Sequence, residues 1–140
     1  MLALNRKLLH EMDFATARPR LPEGATEHFW GVVRGNLDMM SEARLWWDVA
    51  AGHIAPVPQE GEAEFLRAAL DTLPAEPFTP MTWPDWTNAV KAATGRKGKA
   101  LFMPLRLALT GEDHGPDLKD LLPLIGRGRA EERLRAAIQA

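Results

Sequence analysis

The sequence contains no cysteine and no long uninterrupted hydrophobic run. The first absence excludes a disulfide framework, a thiolate zinc site and a cysteine nucleophile, and it is typical of a reducing compartment. The second excludes a membrane-spanning helix, which needs about 18 or more consecutive apolar residues. Residues 1–10 alternate apolar and polar side chains, unlike a secretory signal. We therefore expect a cytoplasmic protein with no membrane partner.

Signals for β-strands are also scarce. Val and Ile are few, and no Asn-Gly or Asp-Gly hairpin turn occurs. Proline and glycine divide the chain into segments, and within most of them apolar residues recur at spacings of three and four, the helical period. The pattern predicts an all-α protein of two small helical subdomains with no significant sheet. The predicted helices are residues 2–12, 26–33, 39–50, 60–73, 83–94, 101–110, 118–124 and 129–138.

Two proline-rich connectors, residues 52–60 and 74–80, interrupt the helical pattern. The second holds three prolines in seven residues, so we place a boundary there, between a first subdomain of residues 1–75 and a second of residues 76–140. The net charge of -2 is unevenly distributed: residues 1–86 carry 7 basic and 13 acidic side chains, whereas residues 87–140 carry 10 and 6. The basic part is either a surface for a polyanion or a set of solvated helix faces.

Candidates for catalysis or metal binding are weak. The four histidines are scattered, and none of them forms the i, i+4 pair of a helical zinc site. The sequence has no phosphate-binding glycine motif of the nucleotide-hydrolysing enzymes, no nucleophile elbow and no evident catalytic triad. We therefore expect a binding module with no catalytic and no metal-ligating residues.

A basic cluster lies where one predicted helix ends and the next begins. Arg96, Lys97 and Lys99 surround the turn, and Arg106 follows on the second helix. Backbone N–H groups at a helix start, together with Lys and Arg side chains, are typical of a phosphate site. The alternative is that these side chains only keep the turn soluble.

The five tryptophans allow two interpretations. They can stack on unpaired RNA bases, or they can pack in the core at helical spacing. Trp83 and Trp86 lie three residues apart and are predicted to be core. Trp46 and Trp47 are adjacent and cannot point the same way, so one of them is predicted to be a surface contact.

Residues 96–111, RKGKALFMPLRLALTG, closely resemble the C-terminal, anticodon-binding region of bacterial glutamyl-tRNA synthetases. The similarity continues in residues 115–118, 121–126 and 129–134, and upstream in residues 4–10, 34–38 and 42–43. The resemblance implies an all-helical cage that holds the anticodon loop of glutamate tRNA, and a monomer that does not bind DNA. In that family, ATP and Mg²⁺ belong to a separate catalytic domain whose two signature motifs are absent here. We therefore expect no enzyme activity and no cofactor for this chain alone.

The resemblance also implies a set of anticodon-binding residues. Arg106 falls where the family places an arginine beside the anticodon bases, and the loop that meets these bases holds Gly115, Pro116 and Leu118. Arg96, Lys97 and Lys99 are the predicted phosphate ligands.

A second turn, with Arg34 and Asn36, falls where the family faces the third anticodon base. This base is C in glutamate tRNA and G in glutamine tRNA. Many family members that exclude glutamine tRNA have an arginine at the position of Asn36. An asparagine amide offers one acceptor and two donors and can accommodate either base, so glutamine tRNA is a further candidate partner.

Two other functions fit the composition. A helical protein-interaction module could keep this fold without RNA recognition, with an exposed apolar patch over the Trp46 and Trp47 face in place of a basic groove around Arg106. A helix-turn-helix DNA binder has only generic helices and the basic tail in its favour, and the overall acidity disfavours it.

Overall fold

The protein is all-α. The computed structural model describes residues 6–37, 39–55, 57 and 59–139. Within these ranges it has no strand, which confirms the predicted fold class. The α-helices are α1 (Arg6–Glu11), α2 (Phe14–Ala17), α3 (Glu27–Val33), α4 (Glu42–Ala51), α5 (Ala63–Asp71), α6 (Thr82–Thr94), α7 (Lys99–Thr110) and α8 (Leu118–Gln139). Two 3-10 turns, Arg18–Arg20 and Arg34–Asn36, follow α2 and α3.

Local capping decides several helix ends. The Thr26 hydroxyl accepts a hydrogen bond from the Phe29 backbone N–H at 3.1 Å and begins α3. Gly95 ends α6 in the left-handed conformation (φ 75°), as the sequence predicts. Thr82, a residue type favoured at N-caps, is instead the first residue inside α6, and its hydroxyl accepts a hydrogen bond from the Thr79 N–H at 2.8 Å.

The N-terminal region differs in part from the prediction. Residues 2–5 of the predicted opening helix lie outside the described residues, and α1 covers the rest as far as Glu11. The separate helix α2 is not predicted. It begins because the Asp13 carboxylate accepts a hydrogen bond from the Thr16 N–H at 2.8 Å.

A single hydrophobic core spans the described residues. The helix α8 packs against α4, α5, α6 and α7, and the buried side chains of all these helices form one continuous cluster. Because α5 precedes the predicted boundary and α8 follows it, the core crosses residues 75 and 76. The division into two folding units stays a prediction.

The last helix has two halves. Gly126 has non-helical dihedral angles (φ 81°, ψ 164°) and breaks α8 between the predicted segments 118–124 and 129–138. Next to this break, the Arg127 N–H donates to Glu76 Oε1 at 3.0 Å. The break is thereby fastened to the proline-rich connector before α6.

A buried arginine joins three helices. Arg133 of α8 is 7% exposed, and its guanidinium donates to the carbonyls of Val49 (2.6 Å), Leu109 (2.8 Å) and Gly52 (3.1 Å). These carbonyls lie at the C-terminal ends of α4 and α7, where backbone oxygens carry partial negative charge. Burial lowers the pKa of Arg133 to about 10, so the group stays charged near neutral pH. The charge holds α4 and α7, which carry the candidate site, at a fixed distance from α8.

Candidate nucleic-acid interface

Arg106 lies on α7 and holds the following loop. Its Nη2 donates to the Pro116 carbonyl at 3.2 Å. Burial lowers the pKa of the half-buried guanidinium, and the nearby Asp117 carboxylate acts in the opposite direction. Its Nη1 is buried and has no hydrogen-bond partner within the part of the chain that the structure describes. Nη1 is enclosed by the protein, so in this conformation the accessible part of the guanidinium lies elsewhere.

The loop depends on a glycine. Gly115 has φ +141°, and a Cβ placed there would lie 2.2 Å from the Trp46 ring, which is an impossible contact. Trp46 is itself buried on α4, so the loop rests directly on a rigid indole. Because only glycine permits this approach, the loop position is set by the packing of α4.

The structure brings three of the predicted anticodon-binding residues together: Arg106, Gly115 and Pro116. Leu118 follows at the start of α8, but its side chain is 2% exposed and belongs to the core. Pro116 is also buried, although its carbonyl meets Arg106. In this arrangement the proline and the leucine shape the loop, whereas their predicted contact with bases stays a prediction.

The second predicted turn, Arg34–Asn36, packs against α1 and α3. Arg34 is half-buried, and its Nη1 donates to the Met12 carbonyl at 3.0 Å, which also accepts from Trp30 Nε1 at 2.7 Å. Asn36 is exposed. Of the two side chains, the asparagine is therefore the more accessible to a ligand.

The basic cluster divides into one paired and two exposed cations. The Arg96 guanidinium donates from Nη1 to Glu62 Oε2, and its central carbon lies 4.3 Å from the Phe65 ring centroid. These contacts fasten the turn before α7 to α5. Lys97 and Lys99 are exposed. The predicted phosphate contact of Arg96 would compete with an existing ion pair, and that of the lysines would not.

The tryptophans are mostly structural. Trp30, Trp46 and Trp86 are buried, which agrees with the core interpretation. Trp47 is half-buried and meets Phe29 edge to face at a centroid distance of 5.0 Å, so neither member of the adjacent pair is fully exposed.

Sequence reasoning missed an exposed aromatic residue of α7. Phe102 is 43% exposed and lies three residues after Lys99 and four before Arg106. This helical spacing places all three on one face, and it was the signal that could have revealed the residue.

A titratable pair lies in the loop between α7 and α8. His114 Nδ1 and Asp113 Oδ1 are 2.7 Å apart, and both side chains are exposed. The hydrogen bond raises the pKa of His114, with smaller contributions from Glu112 and Glu42, and it lowers the pKa of Asp113. The charge of this loop therefore changes with pH near the Arg106 contact.

Metal binding and membrane insertion find no support in the described ranges. These contain no group of three or more His, Asp or Glu side chains arranged to hold a metal ion. No helix among them has the length and apolar character to cross a membrane.

Comparison with known proteins assigns the chain to a family. A family model described as an anticodon binding domain matches residues 37–138. Glutamate–tRNA ligase 2 of Gluconacetobacter diazotrophicus is 58% identical over 137 residues, which are 98% of this chain and 31% of that protein. Glutamate–tRNA ligase 2 of Gluconobacter oxydans is 58% identical over 140 residues, covering 100% of this chain and 32% of that protein. The chain thus spans about a third of the length of these relatives.

A solved structure shares the fold. The crystal structure of a glutamate tRNA ligase from Elizabethkingia meningosepticum superposes with a TM-score of 0.72 at 19% identity, covering 97% of this chain and 31% of that one. The part of the ligases that this chain matches is the anticodon-binding, non-catalytic part. The chain belongs to the anticodon binding domain family of the glutamate–tRNA ligases.

Proposed function

We propose that this chain binds the anticodon loop of glutamate tRNA and so directs a glutamate–tRNA ligase to its tRNA. The observation that carries the proposal is the position of Arg106, a half-buried guanidinium on α7 whose Nη2 donates to the Pro116 carbonyl of the predicted base-reading loop. A planar, permanently charged donor that is already positioned suits the base oxygens and nitrogens of an unpaired loop. Family membership and 58% identity to a glutamate–tRNA ligase support the same reading.

The contacts divide into two kinds. Arg106 and its loop would read bases, whereas the exposed Lys97 and Lys99 would hold phosphates and carry no sequence information. Asn36, exposed in its turn, would face the third anticodon base and accept either C or G. Glutamine tRNA is therefore a second proposed partner.

The proposal extends to the oligomeric state, the localisation and the cofactors of the chain. The chain would act as a monomer in the cytoplasm and would need no cofactor of its own. ATP and Mg²⁺ would serve the catalytic part of the ligases, outside this chain.

The test is a titration with labelled anticodon stem-loops. One loop carries the glutamate anticodon ending in C, a second carries G at that base, and a third is an unrelated loop. Preference for the first two over the third supports the proposal, and equal binding of C and G supports acceptance of both tRNAs. Arg67→Ala removes an exposed charge from α5 and is the matched control for Arg106→Ala. It should leave the preference among the loops unchanged.

Equal, weak binding to all three loops would contradict the proposal. The protein-interaction module would then be the better explanation. The predicted patch over Trp46 and Trp47 would need revision in that case, because Trp46 is buried and the exposed apolar residue of α4 is Leu45.

A further inference from the structure

We infer that Phe102 is a stacking platform for one of the three anticodon bases, flanked by Lys99 and Arg106 on the same face of α7. The inference rests on the proposed function and adds to it a base-contacting residue that the resemblance did not indicate. It rests on three observations: the exposure of Phe102, its aromatic support and the charges on either side.

The position of Phe102 on α7 is unusual for a phenylalanine. Its side chain is 43% exposed, although most large apolar side chains of the described core helices are buried. Exposing an aromatic ring forgoes the free energy that its burial would contribute. A single exposed apolar residue needs no explanation by itself, so the role of this ring follows from its neighbours.

The ring is held from behind by a chain of aromatic contacts. Its centroid lies 6.1 Å from that of Trp83, and the two rings are tilted by 39°. Trp83 in turn meets Trp86 edge to face at 5.7 Å. Trp86 is fully buried and donates its indole N–H to the Ala69 carbonyl at 2.9 Å. Phe102 is thus the outer end of a series that begins in the core, so little conformational entropy remains to be lost when a base stacks on it.

The charges around the ring match an RNA strand. Lys99 precedes Phe102 by one helical turn and is exposed, and Arg106 follows it by one turn. At 1.5 Å rise per residue, the two cations stand about 10 Å apart along the axis, on either side of the ring. A stacking ring between cations is the general arrangement by which proteins hold single-stranded nucleic acids. The Arg106 end of the face also continues into the proposed base-reading loop.

The experiment uses the 140-residue chain and the glutamate anticodon stem-loop. Phe102→Ala should weaken binding roughly tenfold, which corresponds to about 1.4 kcal/mol. Phe102→Trp should bind about as tightly as the wild type. Phe102→Leu, which keeps an apolar side chain without a π face, should bind more weakly, like Phe102→Ala. Leu45→Ala is the matched control, because Leu45 is 42% exposed and lies on a different helix, α4. The melting temperature of each variant is measured, and each binding constant is corrected for the fraction of protein that is folded at the assay temperature.

Abasic loops separate stacking from an indirect effect. Three further stem-loops each lack the base of one anticodon nucleotide. With one of them, Phe102→Ala should cause no additional loss, because the base that it would have contacted is already gone. The inference is overturned if Phe102→Leu binds like the wild type, or if Phe102→Ala weakens the intact and all three abasic loops equally.

The same data distinguish the two levels of the argument. If the wild type prefers the glutamate loop and Phe102→Ala retains both affinity and preference, the proposed function stands and the stacking role is wrong. If the wild type shows no preference among loops, the proposed function fails and the inference fails with it.

Discussion

Removing the charge of Arg133 should destabilise the fold more than any other loss of a basic side chain on α8. In Arg133→Met the apolar stem remains, but the carbonyls of Val49, Leu109 and Gly52 lose a charged donor. A buried acceptor left without a partner costs about 1–3 kcal/mol, and the methionine avoids the cost of burying a guanidinium. For three carbonyls the balance is a loss of about 3 kcal/mol, a large part of the roughly 5–15 kcal/mol that stabilises a domain.

The assay is urea unfolding followed by far-UV circular dichroism, with the free energy of unfolding compared at equal m-values. Arg135→Met is the matched control on the same helix, because the Arg135 side chain is 60% exposed and its ion pair within the described ranges is the exposed one with Glu131. An exposed i, i+4 pair contributes about 0.5 kcal/mol or less. If Arg133→Met costs no more than the control, or stabilises the protein, the buried charge does not hold the ends of α4 and α7.

Three further predictions concern α7 and the segments on either side of it. Arg106→Ala should weaken binding of the glutamate stem-loop by about 2 kcal/mol and reduce discrimination against unrelated loops. Lys97→Ala should weaken the binding of every loop by the same small factor. Identical effects of the two substitutions would refute the division into base-reading and phosphate-positioning contacts. Gly115→Ala should cost about 2–3 kcal/mol of folding stability in thermal unfolding, because its Cβ would collide with the indole beneath and φ is positive there, and an unchanged melting temperature would show that the loop can relax. Asp113→Asn should lower the pKa of His114 in an NMR titration, since the hydrogen bond to Asp113 raises it. If the pKa of His114 does not change in this variant, the contact with Asp113 is excluded. Any stability from the pair is present below the ordinary pKa of histidine and is lost as the pH rises through the raised pKa.

The helices with clear terminal signals could be predicted from the sequence to within a few residues. Gly95 and Gly111, both left-handed, end α6 and α7 where the sequence ends them. The four-residue α2 could not, because a side-chain cap at Asp13 begins it only two residues after α1 ends. The two halves of α8 were predicted as separate helices, and Gly126 is the physical reason for the break between them.

The sequence motif predicted which residues belong to the candidate site, but it did not predict which side chains contact one another. Arg106 and the glycine-proline loop were identified together, and the structure joins them by one hydrogen bond. The roles of Arg133 and Arg96 could not be predicted, because sequence patterns report only near neighbours. The partners of Arg133 lie 24 to 85 residues away, and the partner of Arg96 lies 34 residues away. Helical spacing places Phe102 on one face with Lys99 and Arg106, but its exposure could not be predicted, because spacing alone does not say which apolar side chain stays exposed.

The ion pair between Arg96 and Glu62 has a consequence for the ionic-strength dependence of binding. A bound phosphate releases counterions only where it meets a cation that the protein has not already neutralised. The basic turn before α7 holds three positive side chains, but one of them is already compensated within the fold. The slope of the logarithm of the binding constant against the logarithm of salt concentration counts the neutralised phosphates. This turn should therefore contribute about two phosphate contacts to that slope, through Lys97 and Lys99. The Glu62 carboxylate would thus lower the affinity of this surface for any polyanion, and it would leave a larger share of the binding free energy to the contacts that we propose for the anticodon bases.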